Sequence, residues 1–296
     1  MKKKAVFYGA ATALITPFCD GEIDYGALEN IIEMQIKANI SALVIGGTTG
    51  EAATLSDSER YSLFEFSKEK VAGRVKLIFG TGTNDTSLAV KHTKMAERIG
   101  CDGVLAVTPY YNKGTEEGLI RHYQMISDST SLPIILYNVP TRTGVNIPLS
   151  SLDRLCLCEN IVAIKEASDS ADRLCEVAAY GDELMLYAGG DAQTYTALSL
   201  GGGGVISVIS NPCPRLSVLI CEKFFEGKRE ESLALQLEAL PLIRAMFTET
   251  NPAPVKYAMH ALGLCKNELR LPLCEANAKT EKLIDGQMNI FKKYAV

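Results

Sequence analysis

Ile161-Val162-Ala163-Ile164-Lys165-Glu166 is an apolar run that stops abruptly at an amine. Four consecutive apolar residues suit a parallel strand covered on both faces, and the polar run Ala167-Ser168-Asp169-Ser170 then reads as a loop opening a helix. Taken alone, Lys165 marks only the place where a strand meets water. Its meaning changes if the strand belongs to a barrel of parallel strands, because catalytic residues of such barrels sit at the carboxyl ends of the strands.

Outward from this segment, apolar runs recur at about 30-residue spacing, each followed by a helical pattern, which is the period of a βα unit. Eight strand candidates result, at 10–16, 42–46, 76–80, 103–107, 134–137, 162–165, 184–187 and 204–207. Eight alternations close a barrel, and 296 residues exceed the roughly 250 that one barrel needs. The expected fold is therefore an α/β (β/α)8 TIM barrel over residues 1–228. Helical patterns at 230–247, 252–262 and 277–294 then form a carboxyl-terminal helical appendage over 229–296. Ser56-Asp57-Ser58-Glu59 has capping-box spacing and Gly73 follows the next apolar-periodic segment; Asp85 or Thr86 opens a helix that ends at Gly100. Gly181 and Gly227 suit positions just past two other helices. The run Gly201-Gly202-Gly203-Gly204 precedes the eighth strand, so it reads as a tight turn at the amino-terminal face rather than a phosphate site.

Composition narrows the function. A chain with 47% hydrophobic and 22% charged residues buries a large core, and a formal net charge of −5 argues against a nucleic-acid or anionic-membrane surface. Nine cysteines, an odd count without a Cys-x-x-Cys pair, fit reduced thiols in the cytosol. The three histidines, His92, His122 and His260, lack ligand spacing, so no metal is expected. Met1-Lys2-Lys3-Lys4 and the apolar segment 5–18 imitate a signal peptide. The interruptions at Tyr8, Gly9, Thr12, Thr16 and Pro17, and the want of a small-x-small site before Asp20, argue against one.

The strand ends are chemically coherent. The second leads into Gly46-Gly47-Thr48-Thr49-Gly50-Glu51, a turn of backbone N–H groups and hydroxyls suited to a carboxylate; its glycine spacing and the missing lysine exclude a nucleotide P-loop. The fourth leads into Thr108-Pro109-Tyr110-Tyr111, the fifth into Tyr137-Asn138-Val139-Pro140-Thr141-Arg142-Thr143-Gly144, and the sixth delivers Lys165. An amine beside a phenol suggests Schiff-base chemistry with a carbonyl substrate. A free lysine, with a pKa of about 10.4, is less than about 0.1% neutral at pH 7, so its surroundings must favour the neutral amine before it can attack. A tyrosine within hydrogen-bond reach can then move protons to and from the carbinolamine, with other hydroxyls as relays.

These motifs, with Thr12-Ala13-Leu14-Ile15-Thr16-Pro17-Phe18, Asn251-Pro252-Ala253-Pro254-Val255-Lys256 and Leu271-Pro272-Leu273, resemble those of the dihydrodipicolinate synthase family along the whole chain. That family belongs to the pyruvate-dependent lysine aldolases, which include N-acetylneuraminate lyase. The resemblance implies that Lys165 forms an imine with pyruvate, whose enamine attacks aspartate 4-semialdehyde, after which the product cyclises, with no cofactor. Tyr137 would donate and accept protons, and Thr48 and Tyr111 would complete its relay. Thr49, with backbone groups at Gly189 and Ile206, would place pyruvate, and Arg142 would receive the semialdehyde carboxylate, a task that suits its planar fork. The resemblance further implies a homotetramer of two tight dimers, Tyr111 reaching into the partner subunit. An aldolase acting on another 2-oxo acid is the runner-up, which Arg142 disfavours; a non-catalytic ligand-binding barrel is disfavoured by the joint presence of Lys165, Tyr137, Thr48 and Tyr111.

One departure concerns regulation. Lysine-inhibited members hold the effector at the dimer interface against residues matching Ala53, Asn84 and Tyr110, with a glutamate for its ammonium. Here that position is Leu88, and an alkyl group cannot partner a desolvated ammonium. Weak or absent lysine feedback is the expectation.

Overall fold

The computed structural model describes residues 3–295, so Met1 and Lys2 of the basic start and Val296 of the appendage lie outside it. Eight strands, β1 (Gly9–Ala13), β2 (Ala42–Ile45), β3 (Lys76–Gly80), β4 (Gly103–Val107), β5 (Ile134–Asn138), β6 (Ile161–Glu166), β7 (Met185–Ala188) and β8 (Gly204–Ser207), pair in parallel and close through a β1–β8 ladder. The (β/α)8 barrel expected from the sequence is the one observed. Three strands have the expected bounds, and the others differ by one to three residues at an end, where pairing rather than hydropathy decides.

Strand alternation divides the core into two layers. Ala11, Ala13, Ala42, Val44, Ile78, Leu105, Ile135, Ala163 and Ile206 fill the barrel interior, while Leu43, Ile45, Leu77, Phe79 and Ile164 face the helices. One end of the barrel is stoppered by the Phe7 ring, stacked on Tyr187 at 4.3 Å, and the Tyr187 hydroxyl donates to the Phe7 carbonyl at 2.7 Å. Lys3, in the segment that imitates a signal peptide, donates from Nζ to the carbonyls of Cys156, Cys158 and Ile161 at 2.7–2.8 Å. Lys3 is thus tied to the segment that leads into β6.

Local signals place the helices. α1 (Tyr25–Lys37) is capped by Asp24; α2 (Asp57–Val71) starts with the complete Ser56/Glu59 capping box; α3 (Thr86–Ile99) is capped by Asp85 and ends on Gly100 at positive φ. At the end of α2 the left-handed turn begins one residue earlier than Gly73, at Ala72 (φ 48°). Gly181 opens a 3-10 turn three residues after the end of its helix rather than capping it directly. The barrel helices continue as α4 (Glu116–Ser127), α5 (Leu149–Leu155), α6 (Ala171–Ala178), α7 (Thr194–Ser199) and α8 (Pro214–Phe225).

The glycine run before β8 is a site of backbone contact. A Cβ on Gly204 would lie 1.8 Å from the Gly9 carbonyl oxygen, and the Gly9 N–H donates to Gly203 at 2.9 Å, so the run is what lets β8 close on β1.

Three further helices follow, α9 (Arg229–Met246), α10 (Ala253–Ala261) and α11 (Ala278–Phe291), with α9 packed on α8 and α11 on both α9 and α10. The appendage returns to the mouth of the barrel through a buried ion pair. Lys256 on α10 and Glu51, at the end of the β2 turn, are both fully buried with Nζ and Oε1 2.5 Å apart, and Lys256 also donates to the Glu268 carbonyl at 2.6 Å. Among the described residues no helix is long and apolar enough to cross a membrane.

Candidate active site

Strand alternation aims Lys165 inward. Ala163, two residues earlier on β6, lies in the interior layer, so Lys165 shares its face and its side chain enters the barrel just below the mouth. Only 5% of Lys165 is exposed. On β5, Tyr137 repeats the inward orientation of Ile135, and Tyr137 and Lys165 are direct partners across the β5–β6 ladder. The Lys165 Nζ lies 4.3 Å from the centroid of the Tyr137 ring. An amine on an aromatic face, in a pocket with little solvent, is a configuration in which a carbonyl carbon can meet nitrogen and phenol together.

The backbone behind Tyr137 is fixed from the next strand. Its carbonyl accepts from the Thr108 N–H at 3.0 Å and from the Thr108 hydroxyl at 2.9 Å. Behind Lys165, the fully buried Glu166 points away from the pocket. Its carboxylate accepts from Asn138 Nδ2 at 2.9 Å and from the Ser168 N–H at 2.9 Å, and pairs with Arg173 Nε at 3.3 Å. That network pins β6 at the residue after the lysine.

The β2 turn brings Thr48 and Thr49 to the mouth. Within it the N–H groups of Gly50, Glu51 and Ala52 fold back onto Gly47 and Thr48 carbonyls at 3.1–3.3 Å. The donors left for a carboxylate are thereby narrowed: among the described residues the N–H groups of Thr48 and Thr49 have no partner. Thr49 is buried and its Oγ1 accepts a hydrogen bond from Asn251 Nδ2 at 3.0 Å.

Gly189, the residue after β7, lies tight against the β6 loop, where a Cβ would lie 2.5 Å from the Ala167 Cβ. Its N–H donates to the Glu166 carbonyl at 2.7 Å, which leaves its own carbonyl as the group it can offer a ligand. Ile206, on β8, lies wholly inside the barrel. Arg142 is exposed on the single helical turn Pro140–Thr143, and its Nη2 donates to the Asn251 carbonyl at 2.9 Å.

The residues singled out in sequence are therefore not all joined. Lys165 and Tyr137 touch; Thr49 and Arg142 meet through Asn251; among the described residues Thr48 and Tyr111 make no hydrogen bond to Tyr137. Tyr111 stands apart, 91% exposed and with φ at 72°, a left-handed backbone that a tyrosine adopts at a cost.

Two residues without an assigned role in the sequence reading enter the site. Asp191, two residues after Gly189, is buried and accepts the N–H groups of Val208 and Ile209 at 3.0 and 3.2 Å, tying the loops after β7 and β8 together. Burial pushes its carboxyl upward, and hydrogen bonds from Ser207, Val208 and Ile209 and the positive charge of Lys165 oppose that rise. A charged residue following two glycines at a strand end is the signal that could have found it. Asn251 sits inside the Asn-Pro motif of the appendage, remote in sequence from every strand end, and nothing local announces its contacts.

The comparisons with known proteins converge. The family model described as the Dihydrodipicolinate synthetase family matches residues 6–288. A 4-hydroxy-tetrahydrodipicolinate synthase of Clostridium novyi (strain NT) is 43% identical over 289 residues, 97% of this chain and 98% of the relative. The crystal structure of dihydrodipicolinate synthase from Thermotoga maritima superimposes with a TM-score of 0.94 at 41% identity, covering 97% of this chain and 99% of the other. That of the Aquifex aeolicus synthase gives 0.95 at 39%, covering 98% and 99%.

Proposed function

Because the chain belongs to the dihydrodipicolinate synthetase family, we propose that it condenses pyruvate with L-aspartate 4-semialdehyde through an imine on Lys165. It is a carbon–carbon bond-forming lyase, a 4-hydroxy-tetrahydrodipicolinate synthase of diaminopimelate and lysine biosynthesis. The observation that carries the residue assignment is the buried Lys165 amine 4.3 Å from the Tyr137 ring at the barrel mouth.

In this reading the neutral Lys165 amine attacks the pyruvate ketone carbon. Tyr137 passes a proton to the oxygen, water leaves, and the imine forms. Loss of a proton from the pyruvate methyl group gives the enamine, which forms the new carbon–carbon bond to the aldehyde carbon of the semialdehyde. Tyr137 then protonates the resulting alkoxide. The amino group of the semialdehyde moiety displaces Lys165 from the imine carbon, which closes the ring and regenerates the amine. Thr49, the Gly189 carbonyl and the backbone at Ile206 place the pyruvate, and the Arg142 guanidinium receives the carboxylate of the semialdehyde.

Tyr111 enters the relay from a partner subunit, with Thr48 between it and Tyr137, in a homotetramer of two tight dimers. Its exposed ring and left-handed backbone support this reading, since within one chain the ring covers nothing that offsets the strain. Residues 229–296 serve as an extension of the catalytic unit in the cytoplasm, and lysine feedback is weak. At the position corresponding to the carboxylate that holds the effector's ammonium stands Leu88. Inhibition by submillimolar lysine in a steady-state assay would refute this.

The test of the central step is chemical. Incubation with pyruvate, borohydride reduction and peptide mass spectrometry place an adduct on Lys165 if the reading is right. No adduct, or one elsewhere, removes the imine.

A further inference from the structure

Among the described residues, Asn251 is the one that hydrogen-bonds to both Thr49 and Arg142. Its Nδ2 donates to Thr49 Oγ1 at 3.0 Å, and its carbonyl accepts from Arg142 Nη2 at 2.9 Å. Asn251 and Thr49 are 5% and 2% exposed, so water does not compete for the first of these bonds. The direction of that bond matters. A threonine hydroxyl has a single proton, and when its oxygen accepts from an amide the proton remains free to be given elsewhere.

We infer that Asn251 is a positioning residue that sets the polarity of Thr49. By donating to Oγ1 it turns the Thr49 hydroxyl proton toward the pyruvate carboxylate, while its carbonyl steadies the Arg142 guanidinium that receives the second substrate. This rests on the functional reading above and adds to it a residue from the appendage, more than 100 positions from either partner. The Lys256–Glu51 ion pair, which joins α10, the helix beginning two residues after Asn251, to the Thr48-Thr49 turn, holds the two segments in register. The side chain acts on the pyruvate half of the site, whereas the contact with Arg142 is made by the main chain. Side-chain substitutions are therefore expected to separate the two substrates.

The decisive variant is Asn251→Asp, nearly isosteric but able only to accept when ionised. Thr49 must then give its proton to the new carboxylate, and none is left for pyruvate. Asn251→Ala merely leaves the hydroxyl free to rotate. The expected order of pyruvate KM is wild type, then Asn251→Ala, then Asn251→Asp, the last raised about 10- to 100-fold, as for loss of a hydrogen bond to a charged group. The KM for the semialdehyde changes less. Burial raises the pKa of a carboxyl placed at this site, so relative to wild type at each pH the Asn251→Asp variant recovers as pH falls and its carboxyl regains a proton to donate. In a Thr49→Val background the difference between Asp and Ala shrinks toward the plain charge effect and loses its pH dependence.

Borohydride trapping at saturating pyruvate is run on every variant. A Lys165 adduct in all of them shows that the sites are folded and that imine chemistry stands, so a change in KM reports positioning. If Asn251→Asp is no worse than Asn251→Ala, or its defect is indifferent to pH, a structural role suffices and the inference fails. Failure of the wild-type protein to trap pyruvate on Lys165 overturns the functional reading and this inference with it.

Discussion

Tyr137 and Lys165 are direct partners across the β5–β6 ladder, and the amine of one rests 4.3 Å from the ring centroid of the other. The ladder fixes their strands and the shared inward face fixes their side chains, so the pair needs no loop to assemble it. Phenylalanine at 137 keeps the ring under the amine and removes only the proton carrier. Tyr137→Phe is expected to lower kcat by about 10²- to 10⁴-fold, the span of general acid–base catalysis, while pyruvate is still trapped on Lys165 at a slower rate. Lys165→Ala is expected to abolish trapping altogether. Equal turnover by Tyr137→Phe and wild type would exclude the phenol from proton transfer.

Sharing of Tyr111 between subunits is open to a complementation test. Tyr111→Phe and Lys165→Ala are each expected to be nearly inactive alone. When the two are mixed and allowed to exchange subunits, half of the dimers are hybrids, and each hybrid has one site with both Lys165 and a partner's Tyr111. Activity should rise to about a quarter of wild type. No gain after proven subunit exchange would place Tyr111 in its own subunit's site or outside catalysis.

How these positions could be read from sequence follows from where their information lies. The strands were legible because parallel strands covered on both faces leave long apolar runs such as 161–164, and the helices because Ser56, Asp85 and Gly100 act on their immediate neighbours. Lys165 and Tyr137 inherit their placement from the strands that carry them. Asn251 does not, since its contacts with Thr49 and Arg142 arise only when the appendage folds back over the mouth. The turn after β2 was only half legible: it was visible in Gly46-Gly47-Thr48-Thr49-Gly50-Glu51, but which N–H groups it consumes depends on its three-dimensional course.

The Glu51–Lys256 pair predicts a stability effect with a compensating partner. Both groups are fully buried, and Glu51 Oε2 also accepts the Arg270 N–H at 3.1 Å. Removing one charge leaves the other desolvated and unpaired. Lys256→Met is expected to cost about 3–5 kcal/mol in urea unfolding. Adding Glu51→Gln should restore a large part of that loss, because the double variant buries no lone charge. If the double variant is as unstable as the sum of the two singles, the pair is not coupled.

His122 makes stability depend on pH in a defined window. Its ring is buried on α4 against Tyr123, with Nδ1 2.9 Å from the Thr86 hydroxyl, and burial pushes its pKa down to about 4 against only a weak opposing pull from Asp85. A histidine in the unfolded chain titrates near 6.5. Between that value and about 4 the unfolded chain therefore holds a proton that the folded chain refuses. Stability from this group is complete above pH 6.5, falls as the pH drops through the window, and stops falling below the folded value. From pH 7 to pH 5 the loss amounts to about 2 kcal/mol. His92, lowered mainly by burial, adds a loss of the same sign, whereas Asp57 and Glu59, held at about 2 by their partners, lose their contribution mostly at more acid pH. His122→Asn keeps a hydrogen-bond partner for Thr86 and does not titrate. Urea unfolding at pH 7 and pH 5 should show the variant losing about 2 kcal/mol less than wild type over that interval, whatever its stability at pH 7. Equal losses in the two proteins would mean that His122 is not the group that refuses the proton.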